Sequence, residues 1–101
     1  MRLSYVISRR ASEDIDQIID YIAEDNLNAA ISFESKLFES FELLAEHPKI
    51  GHERSEIVSK GVRFWVFKKR YLIVYQESEV LEIVRVLSGY QNLISIFDPE
   101  H

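Results

Sequence analysis

Once the common catalytic patterns are struck out, the side chains left to do chemistry are Arg63, Arg85 and Tyr90, with Lys60, Lys68, Lys69 and Arg70 around them. Cysteine is absent, which excludes thiolate catalysis, disulfides and cysteine-based metal sites. His47 and His52 flank Pro48 and Gly51 at a spacing without the i, i+4 logic of helical metal ligands, and His101 stands apart from both. No metal and no cofactor is therefore expected. Gly51, Gly61 and Gly89 are isolated, so no glycine-rich loop cradles a phosphate, and no serine sits in a nucleophile elbow. What remains is a set of cations and one phenol, suited to holding an anionic group or presenting a contact surface.

The charge distribution sharpens this. The chain carries a formal net charge of -5, which opposes simple electrostatic binding to nucleic acid, because such binding relies on lysine and arginine displacing counterions from phosphates. No direct sequence-specific nucleic-acid binding is expected. Residues 1–48 hold four basic groups against ten acidic ones, a net of -6, whereas residues 49–75 hold seven basic against two acidic, a net of +5. An acidic half and a basic half suggest two partner surfaces of different chemistry.

A length of 101 residues with 47% hydrophobic content predicts a single domain over 1–101 with its own core. The apolar run after Met1 is too short for a signal peptide, and no stretch approaches the roughly 20 apolar residues that span a bilayer. A soluble, cytoplasmic protein with no membrane partner is the expectation.

The elements that must position the cations follow from periodicity. Residues 3–7 alternate and are β-branched or aromatic, as a strand. Ser8 is a plausible helix N-cap, and Glu13 and Asp14 are placed to favour the positive end of the helix dipole. Ala11, Ile15, Ile18 and Ile22 form the buried stripe of a first helix ending near Asp25, with Ile19 and Ala23 widening it. Residues 25–28 read as a polar break. Ala30, Phe33, Leu37, Phe41 and Leu44 form the stripe of a second helix, which Pro48 stops. Residues 62–67, 71–76 and 80–87 then read as three antiparallel strands joined by Lys68-Lys69-Arg70 and by Glu77-Ser78-Glu79. In the first of these, alternation groups Trp65 with Arg63 and Phe67. The apolar Phe64 and Val66 are predicted to face the helices, with Trp65 partly exposed.

Three segments in this order, His47-Pro48-Lys49-Ile50-Gly51, Gly61-Val62-Arg63 and Arg85-Val86-Leu87-Ser88, resemble those of the ParE/RelE superfamily of type II toxins, and the ParE (plasmid stabilisation) branch most of all. The resemblance extends over nearly the whole chain. It implies an α+β fold of order β-α-α-β-β-β, with a helical hairpin on a small, mainly antiparallel sheet. It also implies a toxin component of a type II toxin-antitoxin system.

For the ParE branch the implied activity is inhibition of DNA gyrase by protein binding, without catalysis. The corresponding contact candidates are Lys68, Lys69, Arg70, Arg85 and Tyr90. The implied partner is a cognate antitoxin, a ribbon-helix-helix protein of the ParD type, forming a hetero-oligomer through a groove lined by Ile19, Ile22, Phe38 and Leu44. The alternative from the RelE branch is a ribosome-dependent mRNA endonuclease, in which Arg63 and Arg85 would stabilise the phosphorane and Tyr90 would donate a proton or serve as a platform for a base, with His52 or Glu53 as general base. The segment where RelE-like catalytic groups usually stand reads Ser88-Gly89-Tyr90-Gln91-Asn92-Leu93, and the chain is acidic where such nucleases are strongly basic. Both features favour the ParE reading.

Overall fold

The computed structural model describes residues 4–53 and 61–89. The elements run β1 (Tyr5–Ile7), α1 (Arg9–Asp25), α2 (Leu27–Glu46), β2 (His52–Glu53), β3 (Val62–Phe67), β4 (Tyr71–Glu77) and β5 (Leu81–Ser88). This is the expected order with one addition, the two-residue β2, in a segment where no strand is predicted.

Local chemistry sets each boundary. Ser8 caps α1, its hydroxyl accepting from the Ala11 N–H at 3.0 Å and donating to the Val84 carbonyl at 2.9 Å, while its own N–H donates to the Ile83 carbonyl. The cap thereby ties the start of α1 to β5. The predicted four-residue break between the helices contracts to Asn26. This residue ends α1 by donating its N–H to the Ile22 carbonyl, and begins α2 by accepting from the Ala29 N–H. An extended residue with a short polar side chain is able to do both. α2 closes on His47, ahead of Pro48.

The sheet order is β1-β5-β4-β3-β2. β2, β3, β4 and β5 pair antiparallel in succession, whereas β1 lies parallel to β5 because both helices intervene before the chain returns. Between Val74 and Tyr75 the register of β4 on β5 shifts: Val74 faces Arg85 and Tyr75 faces Ile83, leaving Val84 as an extra residue in β5.

Both faces of the sheet carry a buried apolar cluster. On the helix side, Ala11 and Ile15 of α1 and Phe33, Leu37, Phe41 and Leu44 of α2 pack with Phe67, Ile73, Tyr75, Leu81, Ile83 and Val86. Aromatic edges knit this layer, with Phe33 against Phe67 at 5.4 Å and against Tyr71 at 5.0 Å, and Tyr5 against Phe41 at 5.7 Å. The other face holds Phe64, Leu72, Val74 and Leu87, flanked by Val62 and Val84.

This corrects the predicted facing of β3. Trp65 and Phe67 meet the helix-side core, while Phe64 belongs to the opposite cluster and Val66 is 40% exposed. In a strand with buried apolar residues on both faces, the apolar weight of one side does not mark the helices. Trp65 is only partly buried, as expected.

Candidate functional site

Arg63 lies on β3 and is occupied by the chain itself. Its guanidinium donates to the Gly51 carbonyl at 2.9 Å and to the Lys49 carbonyl at 3.3 Å. The same loop is held from β4, where the Tyr75 hydroxyl donates to the Pro48 carbonyl at 2.7 Å and accepts from the Gly51 N–H at 2.9 Å. Tyr75 is fully buried, and burial pushes its phenol above the ordinary value, with the Gly51 hydrogen bond acting in the opposite sense. Gly51 is required by close approach: a Cβ there would stand 2.4 Å from the Tyr75 hydroxyl and 2.9 Å from the Phe64 carbonyl oxygen. The His-Pro-Lys-Ile-Gly segment is thus a clamped loop with its carbonyls turned onto β3 and β4. β2 continues from it, and its register sets Glu53 opposite Arg63, the Glu53 carboxylate accepting from the Gly61 N–H at 2.9 Å.

Arg85, at the β5 register shift, is likewise engaged. Its Nε and Nη2 donate to the two oxygens of Asp14 at 2.8 and 3.1 Å, and the same carboxylate accepts from the Val86 N–H at 3.1 Å. The Asp14 hydrogen bond raises the Arg85 pKa further above its ordinary value. α1 begins at Arg9, so Asp14 falls in its second turn, and its role is this bridge to β5, not the dipole contact expected of it. Glu13 pairs along the helix with Arg9 at 3.5 Å. Asp14 had a legible signal, since it sits between Ala11 and Ile18 on the buried stripe.

Arg63 and Arg85 therefore do not converge on a shared open site; each is aimed at an acceptor of its own chain. Tyr90 and Lys60 lie outside the described residues. Among the described residues no cluster of His, Asp or Glu is arranged to hold a metal.

The remaining predicted cations stand together at the β3–β4 turn. Lys68, Lys69 and Arg70 connect the paired Phe67 and Tyr71 and are all exposed. Lys68 and Lys69 adopt positive φ, 52° and 65°, a left-handed conformation that costs a side-chain-bearing residue about 1–2 kcal/mol. The Lys68 ammonium lies over the Phe33 ring, 5.9 Å from its centroid. The Arg70 carbonyl accepts from the Gly89 N–H at 2.7 Å, where Gly89 takes φ 88°.

On the α1 side of this turn lies an open groove of about 660 Å³, lined by Gln17, Ile18 and Tyr21 of α1, Lys69 and Arg70 of the turn, Tyr71 at the start of β4, and Ser88 and Gly89. Tyr21 is 77% exposed. Sequence reasoning missed the α1 contribution, although Gln17, Ile18 and Tyr21 recur at one helix surface.

The four residues expected to line an antitoxin groove divide. Ile19, Ile22 and Phe38 are partly buried against the helix-side core and retain exposed surface, whereas Leu44 is completely buried and has none to offer. The helices present further apolar surface at Leu27 and Ile31, both more than half exposed. No helix among the described residues is long and apolar enough to cross a membrane.

Comparison with known proteins accords with this architecture. A family model described as the ParE toxin of the type II toxin-antitoxin system, parDE, matches residues 5–93. Among solved structures, a chain of the chromosomal ParDE toxin-antitoxin system from P. aeruginosa is similar with a TM-score of 0.72. At 21% identity, the match covers 87% of this chain and 97% of that one, a likeness of fold. Among curated proteins, none matches.

Proposed function

From the premise that this chain belongs to the ParE toxin family of type II toxin-antitoxin systems, we propose that it acts by binding DNA gyrase, without catalysis, and is neutralised by a cognate antitoxin of the ribbon-helix-helix type. The observation that carries the non-catalytic reading is the engagement of both motif arginines, Arg63 on the Lys49 and Gly51 carbonyls and Arg85 on Asp14. A phosphoryl-transfer site needs cations aimed at the reacting phosphate, and these two are aimed at the fold. The surface offered to the target is the turn Lys68-Lys69-Arg70 with the adjoining groove. The surface offered to the antitoxin is the helix pair, where Ile19, Ile22 and Phe38 together with Leu27 and Ile31 suit the apolar face of a segment that folds on binding.

The deciding experiment sets two assays side by side on the purified chain. Inhibition of gyrase supercoiling, with intact mRNA on programmed ribosomes, is the expected result. Uninhibited gyrase alongside codon-linked mRNA cuts that vanish in Arg63→Ala would transfer the protein to the nuclease class. Co-expression with the neighbouring gene product should yield a complex, and a toxin that purifies alone would remove the antitoxin part of the reading.

A further inference from the structure

We propose that the groove between α1 and the β3–β4 turn is a recognition site for an acidic peptide segment carrying a large apolar side chain, presented by the toxin's protein target. This rests on the reading that the turn is the target-contacting surface, and it names the chemistry that the surface selects.

The groove has two chemically distinct parts. Lys69 and Arg70 supply two positive charges to its lining, and Ile18, Tyr21 and Tyr71 supply apolar and aromatic surface. Tyr21 is the most exposed large hydrophobic side chain among the described residues, at 77%. Tyrosine and arginine are the side chains that most often dominate binding energy at interfaces. A ligand that satisfies both parts carries a carboxylate within a few residues of an aromatic or branched aliphatic side chain.

Backbone strain points to the same place. Lys68 and Lys69 hold left-handed φ, where glycine would sit without a Cβ penalty. Strain of this kind persists where surrounding structure over-determines it and clusters at binding sites. Here β3–β4 pairing through Phe67 and Tyr71 fixes the turn, and the Lys68 contact with Phe33 holds its first residue.

Charge separates a peptide from a nucleic acid as occupant. Asp20 and Glu24 lie three positions beyond Gln17 and Tyr21 on α1, so exposed carboxylates run alongside the groove. A chain of regularly spaced phosphates would meet them along its length. A short segment with one or two carboxylates places its charges on Lys69 and Arg70 and passes beside the acidic strip.

The test is selection of a displayed random 12-residue peptide library on the full-length chain, counter-selected on Lys69→Glu/Arg70→Glu. Both substitutions lie in the exposed turn, and circular dichroism is used to check that the variant is folded. Enriched peptides are expected to pair Asp or Glu with Phe, Trp, Tyr or Leu. They should lose about tenfold or more in affinity on Lys69→Glu/Arg70→Glu and a comparable amount on Tyr21→Ser. Binding should weaken as salt is raised through the range where the screening length falls below about 10 Å. Enriched peptides without acidic residues, equal binding to the double variant, or tighter binding of a 12-nucleotide oligothymidylate would each overturn the proposal.

Adding a selected peptide to the supercoiling assay separates this inference from the reading beneath it. Relief of inhibition supports both. A peptide that needs Lys69 and Arg70 but leaves inhibition intact supports the site and removes gyrase from it.

Discussion

Removing Arg85 should damage the fold before it damages any activity. The guanidinium makes a two-pronged contact with Asp14, and the pair is largely shielded, with side-chain exposures of 17% and 15%. Exposed pairs contribute about 0.2–1 kcal/mol, whereas deleting one partner of a fully buried pair costs about 3–5 kcal/mol. An intermediate cost of about 2–3 kcal/mol is therefore expected for Arg85→Ala. Asp14→Ala should cost about the same or slightly more, because the Val86 N–H loses its acceptor as well.

The double variant Asp14→Leu/Arg85→Met fills the space with apolar atoms and leaves no stranded charge, so it should recover to within about 1 kcal/mol of the original chain. Urea melts read by circular dichroism and by Trp65 fluorescence give the measurement. With a slope of about 1 kcal/mol per molar urea for a small domain, each single variant should lose about 2–3 M in midpoint. On the proposed function, gyrase inhibition per folded molecule should persist in all three. An Arg85→Ala protein within about 0.5 kcal/mol of the original that nevertheless loses all inhibition would refute this reasoning, since the cation would then be acting on the target.

Gly51→Ala should destabilise by about 1–3 kcal/mol, the range for forcing an extra methyl into packed structure, because the Phe64 carbonyl cannot retreat as a flexible side chain would; thermal melts measure it. Tyr75→Phe strands the Gly51 N–H and Pro48 carbonyl and should cost about 1–3 kcal/mol. The Tyr75 phenol is raised in the folded state, so its stabilising share is complete below the unfolded value near 10 and is lost as pH rises through the folded value. Melts from pH 9 upward should accordingly show a steeper alkaline decline in the original chain than in Tyr75→Phe. Lys69→Gly should relieve left-handed strain and raise stability by up to about 1 kcal/mol while weakening target inhibition, a pairing of opposite signs that a merely structural turn would not give.

Fold and site were legible to different depths for physical reasons. The helices were readable because each buries a single stripe, and Ala11, Ile15, Phe33, Leu37 and Phe41 are buried as their spacing requires. β3 was readable as a strand but not in its facing, since Phe64 and Phe67 are both buried, on opposite sides. β2 escaped notice because two residues carry no periodicity. The β5 register shift was also hidden, since an extra residue leaves the run of apolar side chains unbroken.

The site shows a deeper limit. Arg63 and Arg85 belong to the segments whose order gives the resemblance to the toxin superfamily, and in isolation an arginine in a motif reads as a cation awaiting an anion. Their partners come from Lys49 and Gly51 on one side and from Asp14, 71 positions away, on the other. Together with Gly51, which a Cβ would drive into Tyr75, they hold the loop and the α1–β5 junction in place. A motif built of such residues specifies the fold. On the proposal made above, the choice of target is left to side chains outside it, the exposed cations of a strained turn and the tyrosine that lines the same groove. Substitutions at Tyr21, Lys69 and Arg70 should therefore change what the toxin binds while leaving its stability near that of the original chain, and substitutions at Gly51, Arg63, Tyr75 and Arg85 should do the reverse.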